Sequence, residues 1–215
     1  MRSFGLPELL YVVEALRWTL ALSAIGFIGG GLVGALIAVL RFADNRLING
    51  VIIIYTQFFQ GIPLLLLMLL CYYGISLIGI QLSPLQAAAT ALTINASAFL
   101  GVIWESALRS IPRTQWESGE SLALRPWQTL HYIIAPQAIR LALPSTVGFL
   151  VQLVKESSLA SVIGFVEITR AGQLVTNITF APLEVFGVVA VLYFIICGLL
   201  SWLSRRLELS LRQAM

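Results

Sequence analysis

ESALRSIPRTQWESGESLALRPWQTLHYIIAPQAIR, residues 105–140, is a polar island between two apolar halves. It holds four of the chain's 13 basic residues (Arg109, Arg113, Arg125, Arg140), three carboxylates (Glu105, Glu117, Glu120) and the only histidine, His131. Before it, residues 47–104 carry no charge at all, and after it apolar sequence resumes at Leu141. An uncharged run of that length exceeds one membrane helix, for which about 20 apolar residues suffice, and suits two helices with a turn between them. The island therefore reads as a hydrophilic connection between membrane spans, long enough to have structure of its own.

Composition agrees. Hydrophobic residues make up 59% of the chain and charged residues 11%, where a soluble domain has about 25% charged. With 215 residues mostly consumed by spans, no soluble catalytic domain of useful size remains. The net charge of +3 comes from residues at span ends, so topology rather than nucleic acid accounts for it. Cys71 and Cys197 lie in separate apolar runs and read as small buried hydrophobes, not a disulfide. No Cys/His metal spacing and no G-x-x-x-x-G-K-[ST] phosphate loop is present. The first residues contain carboxylates and no small-residue cleavage pattern, so no removable signal peptide is expected.

The expected fold is an all-α polytopic membrane protein with five transmembrane helices at 19–41, 51–76, 85–104, 141–166 and 185–204. Residues 1–18 read as an interfacial lead-in outside the membrane and 207–215 as a tail. In the first span Gly30 and Gly34 form a small-xxx-small pair, which lets two helices approach closely in lipid. Arg41, Asp44, Arg46 and Asn49 make a short polar loop. Gly61 and Pro63 should disturb the front of the second span, and residues 74–84 (GISLIGIQLSP) end it. Thr90, Thr93, Asn95 and Ser97 give the third span a polar facet facing protein or a water path. Residues 164–182, with Glu167 and Arg170, read as a mixed connection.

Lysine and arginine distribution sets the orientation. Arg41, Arg46, Arg109, Arg113, Arg125, Arg140, Arg205, Arg206 and Arg212 fall on one side; the other has Arg2 and Arg170, with Arg17 near the entry of the first span. That bias places the 105–140 loop and the C-terminus in the cytoplasm and the N-terminus outside.

Within the island, Pro112 and Pro126 suit first helical turns, so two short helices joined by a turn and lying under the membrane are expected; the alternative is an amphipathic loop floating at the interface. Lys155 and Glu156 put charge inside a span, where it is costly and faces a cavity or partner. They read as part of a path or gate, or as the ion-paired end of a short span. His131 has no acid or nucleophile patterned around it and is assigned no role.

The island resembles the coupling loop of binding-protein-dependent ABC importer permeases, whose signature is Glu-Ala-Ala, three residues, Gly, and then an Ile-x-x-x-x-Pro region. Here it stands as Glu117-Ser118-Gly119, with Ala123 in the glycine's place, followed by IIAPQAIRLALP at 133–144. The runs QGIPLL (60–65), YYG (72–74), IPRTQWESG (111–119), APQAIR (135–140) and LVKESSLASVIG (153–164) are similar to those of polar amino acid permeases of the histidine/glutamine/arginine type. The likeness spans residues 19–206, in order. Departures are Gln60 for arginine and Ile62 for threonine, which remove a charge there, Ala123 for glycine, a helix-favouring change expected to be tolerated, and Gly148 for asparagine.

The resemblance implies a permease subunit of the bacterial inner (cytoplasmic) membrane that carries a polar amino acid and is itself no enzyme. Glu117, Ser118, Gly119, Glu120, Ala123 and Leu124 would form the ATPase dock, the glutamates as polar grip and the small residues allowing close approach. Gln60, Asn95, Lys155, Glu156, Ser157 and Ser158 would line the path or gate. Implied partners are a cytoplasmic ABC ATPase dimer, which uses ATP and Mg, a second permease subunit, identical or similar, and a periplasmic or lipid-anchored binding protein. No cofactor is expected on this chain. The alternative classes are an ion-coupled secondary amino acid transporter, which should show an internal repeat, and an intramembrane enzyme, which needs a nucleophile–base pair or metal set.

Overall fold

The computed structural model describes residues 4–41 and 45–212. Arg2, Asp44 and the end of the tail beyond Arg212 lie outside them. All regular structure among the described residues is helical.

Helix α1 (Leu6–Glu14) passes at Ala15 almost without a break into α2 (Leu16–Leu40), and the two together run 35 residues. α3 (Arg46–Gly61) begins at Asn45, whose side-chain oxygen accepts from the backbone N–H of Leu47 and Ile48. It stops at Ile62, which is extended (φ −88°, ψ 128°) as a residue before proline prefers. After Pro63 the chain resumes as α4 (Leu64–Leu69), a π-helical turn (Leu70–Gly74) and a 3₁₀ turn (Ile75–Ile78), bent 100° from α3. The Gly61–Pro63 disturbance is thus a sharp break that turns the second span into two pieces.

α5 (Pro84–Arg109) opens with a capping box: Ser83 Oγ accepts from Gln86 N–H and the Gln86 side chain accepts from Ser83 N–H. It then runs well into the polar island. α6 (Arg113–Ser121) and α7 (Pro126–Thr129) follow. α7 is not the separate short helix expected. Through a π-helical turn (Leu130–Ile134) it continues into α8 (Ala135–Glu156) and a 3₁₀ turn (Ser157–Ile163), 38 residues in all. Pro136 has no N–H to give its own i−4 carbonyl, and just before it Ala135 N–H reaches back to Leu130 O, closing the wider turn. Gly164, at φ +87°, ends the run.

The mixed connection at 164–182 has a helix of its own. This is α9 (Ile168–Thr179), capped by the Glu167 carboxylate, which accepts from Thr169 N–H at 2.9 Å and Arg170 N–H at 2.8 Å. α10 (Pro182–Arg212) closes the chain. α1 is more than a lead-in, since its Val12 packs with Ala15 against Ile168, Ala171, Val175 and Val185 of α9 and α10.

In lipid, association of spans gains little from hiding apolar surface and rests on close packing of small residues. The α2–α5 contact, the largest in the bundle, follows that rule. Gly26, Gly30 and Gly34, four apart, lie against Leu92, Ala96 and Gly101; a Cβ on Gly30 would come within 2.3 Å of Ala96 Cβ. Around this seam Leu22, Met68, Leu92, Leu100 and Leu153 are fully enclosed.

Candidate coupling surface and translocation path

α6 is a short helix held to the chain on one face and open on the other. Gln115, Trp116 and Gly119 face inward. Gln115 Oε1 accepts from Gln137 Nε2 at 3.3 Å. Trp116 packs on a cluster of Ala107, Ile111, Ile134 and Ala138 at the roots of α5 and α8. Gly119 is buried on α7: a Cβ there would lie 2.4 Å from Thr129 Cγ2. On the open face Glu117, Ser118 and Glu120 are exposed, and beyond them Leu122 is 69% exposed. Ser118 and Ser121 spend their hydroxyls on the Thr114 and Glu117 carbonyls, at 2.7 and 2.9 Å.

The end of α6 explains the family glycine. Ala123 N–H donates to Glu120 O at 2.8 Å and Leu124 N–H to Gly119 O at 3.1 Å, the two bonds of a Schellman motif. Ala123 sits at φ +54°, in the left-handed region that glycine occupies without penalty. It is not inside a helix, so alanine's helix preference does not help it and the substitution is strained. Gly119, likewise, serves packing within the chain and offers no close approach to a partner.

Gln60 and Asn95 lie on the α3–α5 side. Gln60 Nε2 donates to Ala98 O at 3.1 Å and Asn95 is buried. Between them Tyr55 OH meets Ser97 Oγ at 2.6 Å. Gly148 stands in open space on α8. Lys155 is on the α8–α10 side, and Glu156 follows it at the end of α8. Glu156 Oε1 accepts from Gln152 Nε2 at 2.7 Å while its Oε2 is buried without a partner. The Lys155 side chain borders a cleft of about 400 Å³ between α8 and α10, with Tyr193, Cys197 and Ser201. Ser157 is fully buried and donates to Val154 O at 2.8 Å, which turns it into the core; Ser158 donates to Lys155 O at 2.6 Å. Among the described residues no hydrogen bond joins the Gln60 group to the Lys155 group.

Sequence reading passed over two buried polar clusters. Glu105 binds both Arg41 and Arg109; its i,i+4 spacing to Arg109 was a visible signal, its tie to Arg41 was not. Glu167, fully buried, also accepts from Tyr193 OH at 2.8 Å, and Thr19 Oγ1 accepts from Ile168 N–H at 3.2 Å, knitting α2, α9 and α10. Burial raises the Glu167 carboxyl above the usual carboxylate range, against the hydrogen bonds that lower it.

The chain that carries this inward-tethered, outward-charged helix is matched over most of its length by a family model. Residues 30–213 fit the binding-protein-dependent transport system inner membrane component. The chain belongs to that family. Its relatives include the probable amino-acid ABC transporter permease YckA of Bacillus subtilis, 32% identical over 92% of this chain and 88% of that one. The glutamine transport system permease GlnP of Escherichia coli K12 is also 32% identical, over 94% and 93%. Among solved structures, an amino acid ABC transporter crystallised with histidines superposes with a TM-score of 0.87 at 30% identity, covering 92% of each chain. The MetNI methionine transporter in an inward-facing form shares the fold, with a TM-score of 0.81 at 21% identity. This membrane-embedded permease therefore works in ATP-driven ABC import, with an ATPase and a binding protein, and the ion-coupled alternative falls away.

Proposed function

We propose that this permease carries a polar amino acid across the bacterial inner membrane, with no ATPase site of its own. A separate ATPase dimer docks on the open face of α6 and uses ATP and Mg. Two permease chains, identical or similar, surround the path, and a periplasmic or lipid-anchored binding protein delivers the substrate. The names of the relatives support an amino acid as cargo. The Lys/Arg bias supports a cytoplasmic 105–140 loop and C-terminus with the N-terminus outside.

One observation carries the docking reading: α6 is locked inward by Gly119 on Thr129, which leaves Glu117, Ser118 and Glu120 of its own length, with Leu122, facing away from the bundle. A helix so tethered transmits a push to α5 and α8 instead of swinging free. Ala123 and Leu124 shape the end of the dock rather than its contact face. Inside the bundle, Lys155 and Glu156 with Ser158 bear on the gate, and Gln60 with Asn95 on the opposite wall; Ser157 supports the wall from behind.

Glu117→Lys places a cation where the dock presents an anion. The expected result is loss of ATPase co-purification and of uptake, with the chain still in the membrane. Full transport by that variant sinks the docking reading.

A further inference from the structure

The glycine seam of α2 and α5 closes with Gly34 and Ile37 on Gly101. Beside this end of the seam lies an apolar cleft of about 420 Å³, lined by Ala35, Ala38 and Val39 of α2, Trp104 and Leu108 of α5, and the first turns of α8. At the end of α2 the contact with α5 becomes one of charge. Glu105 accepts from Arg41 Nη1 on one oxygen and from Arg109 Nε at 2.7 Å on the other. Arg109 Nη2 also donates to the Arg41 carbonyl at 3.4 Å. The Glu105 side chain is 5% exposed, that of Arg41 19%, and Arg109 screens them from the outside at 57%.

A buried ion pair is weak evidence for stability, because desolvation offsets most of its attraction. The glycine seam already holds α2 to α5. What the charges add is register at one point, and that point is one turn before the end of α5, just ahead of α6. α2 has no chain connection to α6. Any displacement of α6 reaches α5 through Ser110–Pro112 and α8 through the Trp116 cluster, and at the end of α2 the polar links to α5 are those that Arg41 makes with Glu105 and Arg109.

We propose that Glu105 is a positioning residue for transport: with Arg41 and Arg109 it pins the end of α2 to the root of the coupling loop, so that α2 moves with α5 when α6 is driven. The inference rests on α6 being the ATPase dock. It is tested in the assembled transporter, reconstituted in vesicles with its ATPase and binding protein, by measuring substrate imported and ATP hydrolysed in the same sample. Glu105→Gln should lower substrate imported per ATP about tenfold, within the range of ordinary coupling free energies. Glu105→Asp should recover part of it. The exchange Arg41→Glu with Glu105→Arg keeps the net charge and one ion pair between α2 and α5, at the cost of two like charges four apart on α5, and should recover more than either of its two single changes.

An unchanged ratio in Glu105→Gln overturns the proposal, as does a ratio that the exchange fails to raise. Should Glu105→Gln not assemble, Arg41→Gln is read by the same ratio, since Glu105 keeps Arg109 there and the buried charge stays paired. Co-purification of the ATPase separates the two readings: its loss in Glu117→Lys concerns the dock, whereas here it is retained and the ratio decides.

Discussion

Ala123 stands at φ +54°, where the Cβ of an L-residue crowds the next carbonyl at a cost of roughly 1–2 kcal/mol. The two Schellman hydrogen bonds and the Gly119–Thr129 contact hold it there. Ala123→Gly should therefore tighten the end of α6 by about 1 kcal/mol, even though glycine is the poorer helix former, because the position is past the helix. Hydrogen exchange over residues 113–125 is the measurement: slower exchange of that segment is expected, and faster exchange would mean the left-handed turn is not what α6 ends on. The departure at Ala123 was legible in the sequence but its meaning was not, since only the backbone angle separates a helix-interior alanine from one in a cap. Gly119 carries the same lesson. Small residues in a motif announce close packing without saying against what, and here the neighbour is Thr129 of the same chain.

Helices whose own residues carry the whole signal were readable: the four-residue spacing of Gly30 and Gly34 announced the face of α2 that meets another helix. The seam predicts a sharp contrast between neighbours. Gly30→Ala would put a methyl group 2.3 Å from Ala96 Cβ and 2.9 Å from Ser97 N, with backbone that cannot yield, whereas Gly31→Ala meets side-chain tips, Trp104 Cη2 at 3.4 Å and Leu100 Cδ1 at 4.0 Å. Overpacking of that kind costs about 1–3 kcal/mol, while alanine's helix preference returns up to about 1 kcal/mol in both variants. Gly30→Ala should lower the melting temperature of the solubilised protein and Gly31→Ala should leave it level or raise it; equal shifts would remove the seam as the reason for glycine. α9 escaped the reading because its start signal is a buried glutamate, held by Tyr193 of α10 next to an Ile168 N–H that donates to Thr19 of α2, contacts made only by folding. The continuity of α7 with α8 escaped it because Pro126 and Pro136 mark breaks by the usual rules, and the chain bridges the second with a π-helical turn.

Across the whole molecule, the uncharged runs and the polar island disclosed the membrane class and where a soluble partner could grip, while the side chains that join distant segments stayed hidden. Arg41 and Glu105, 64 positions apart, read only as topology signals until they met across the end of α2. Ser157 was expected on the path from the family likeness of the run at 153–164, and in the 3₁₀ turn after α8 its side chain lies in the core. If the Pro126–Ile163 run crosses the membrane, α6 and the α9–α10 junction lie on opposite sides of it. The basic-residue bias is the ground for proposing that α6 faces the cytoplasm. Two probes test both statements together. In a chain with Cys71→Ala and Cys197→Ala, Ser118→Cys on the open face of α6 should react with a membrane-impermeant maleimide in inside-out vesicles only, and Phe180→Cys, at a position 68% exposed between α9 and α10, in right-side-out vesicles only. The reverse pattern would invert the protein and move the ATPase dock to the wrong compartment. Labelling of both from one side would mean that the Pro126–Ile163 helical run does not cross the bilayer, and the push from α6 would then act on α5 alone.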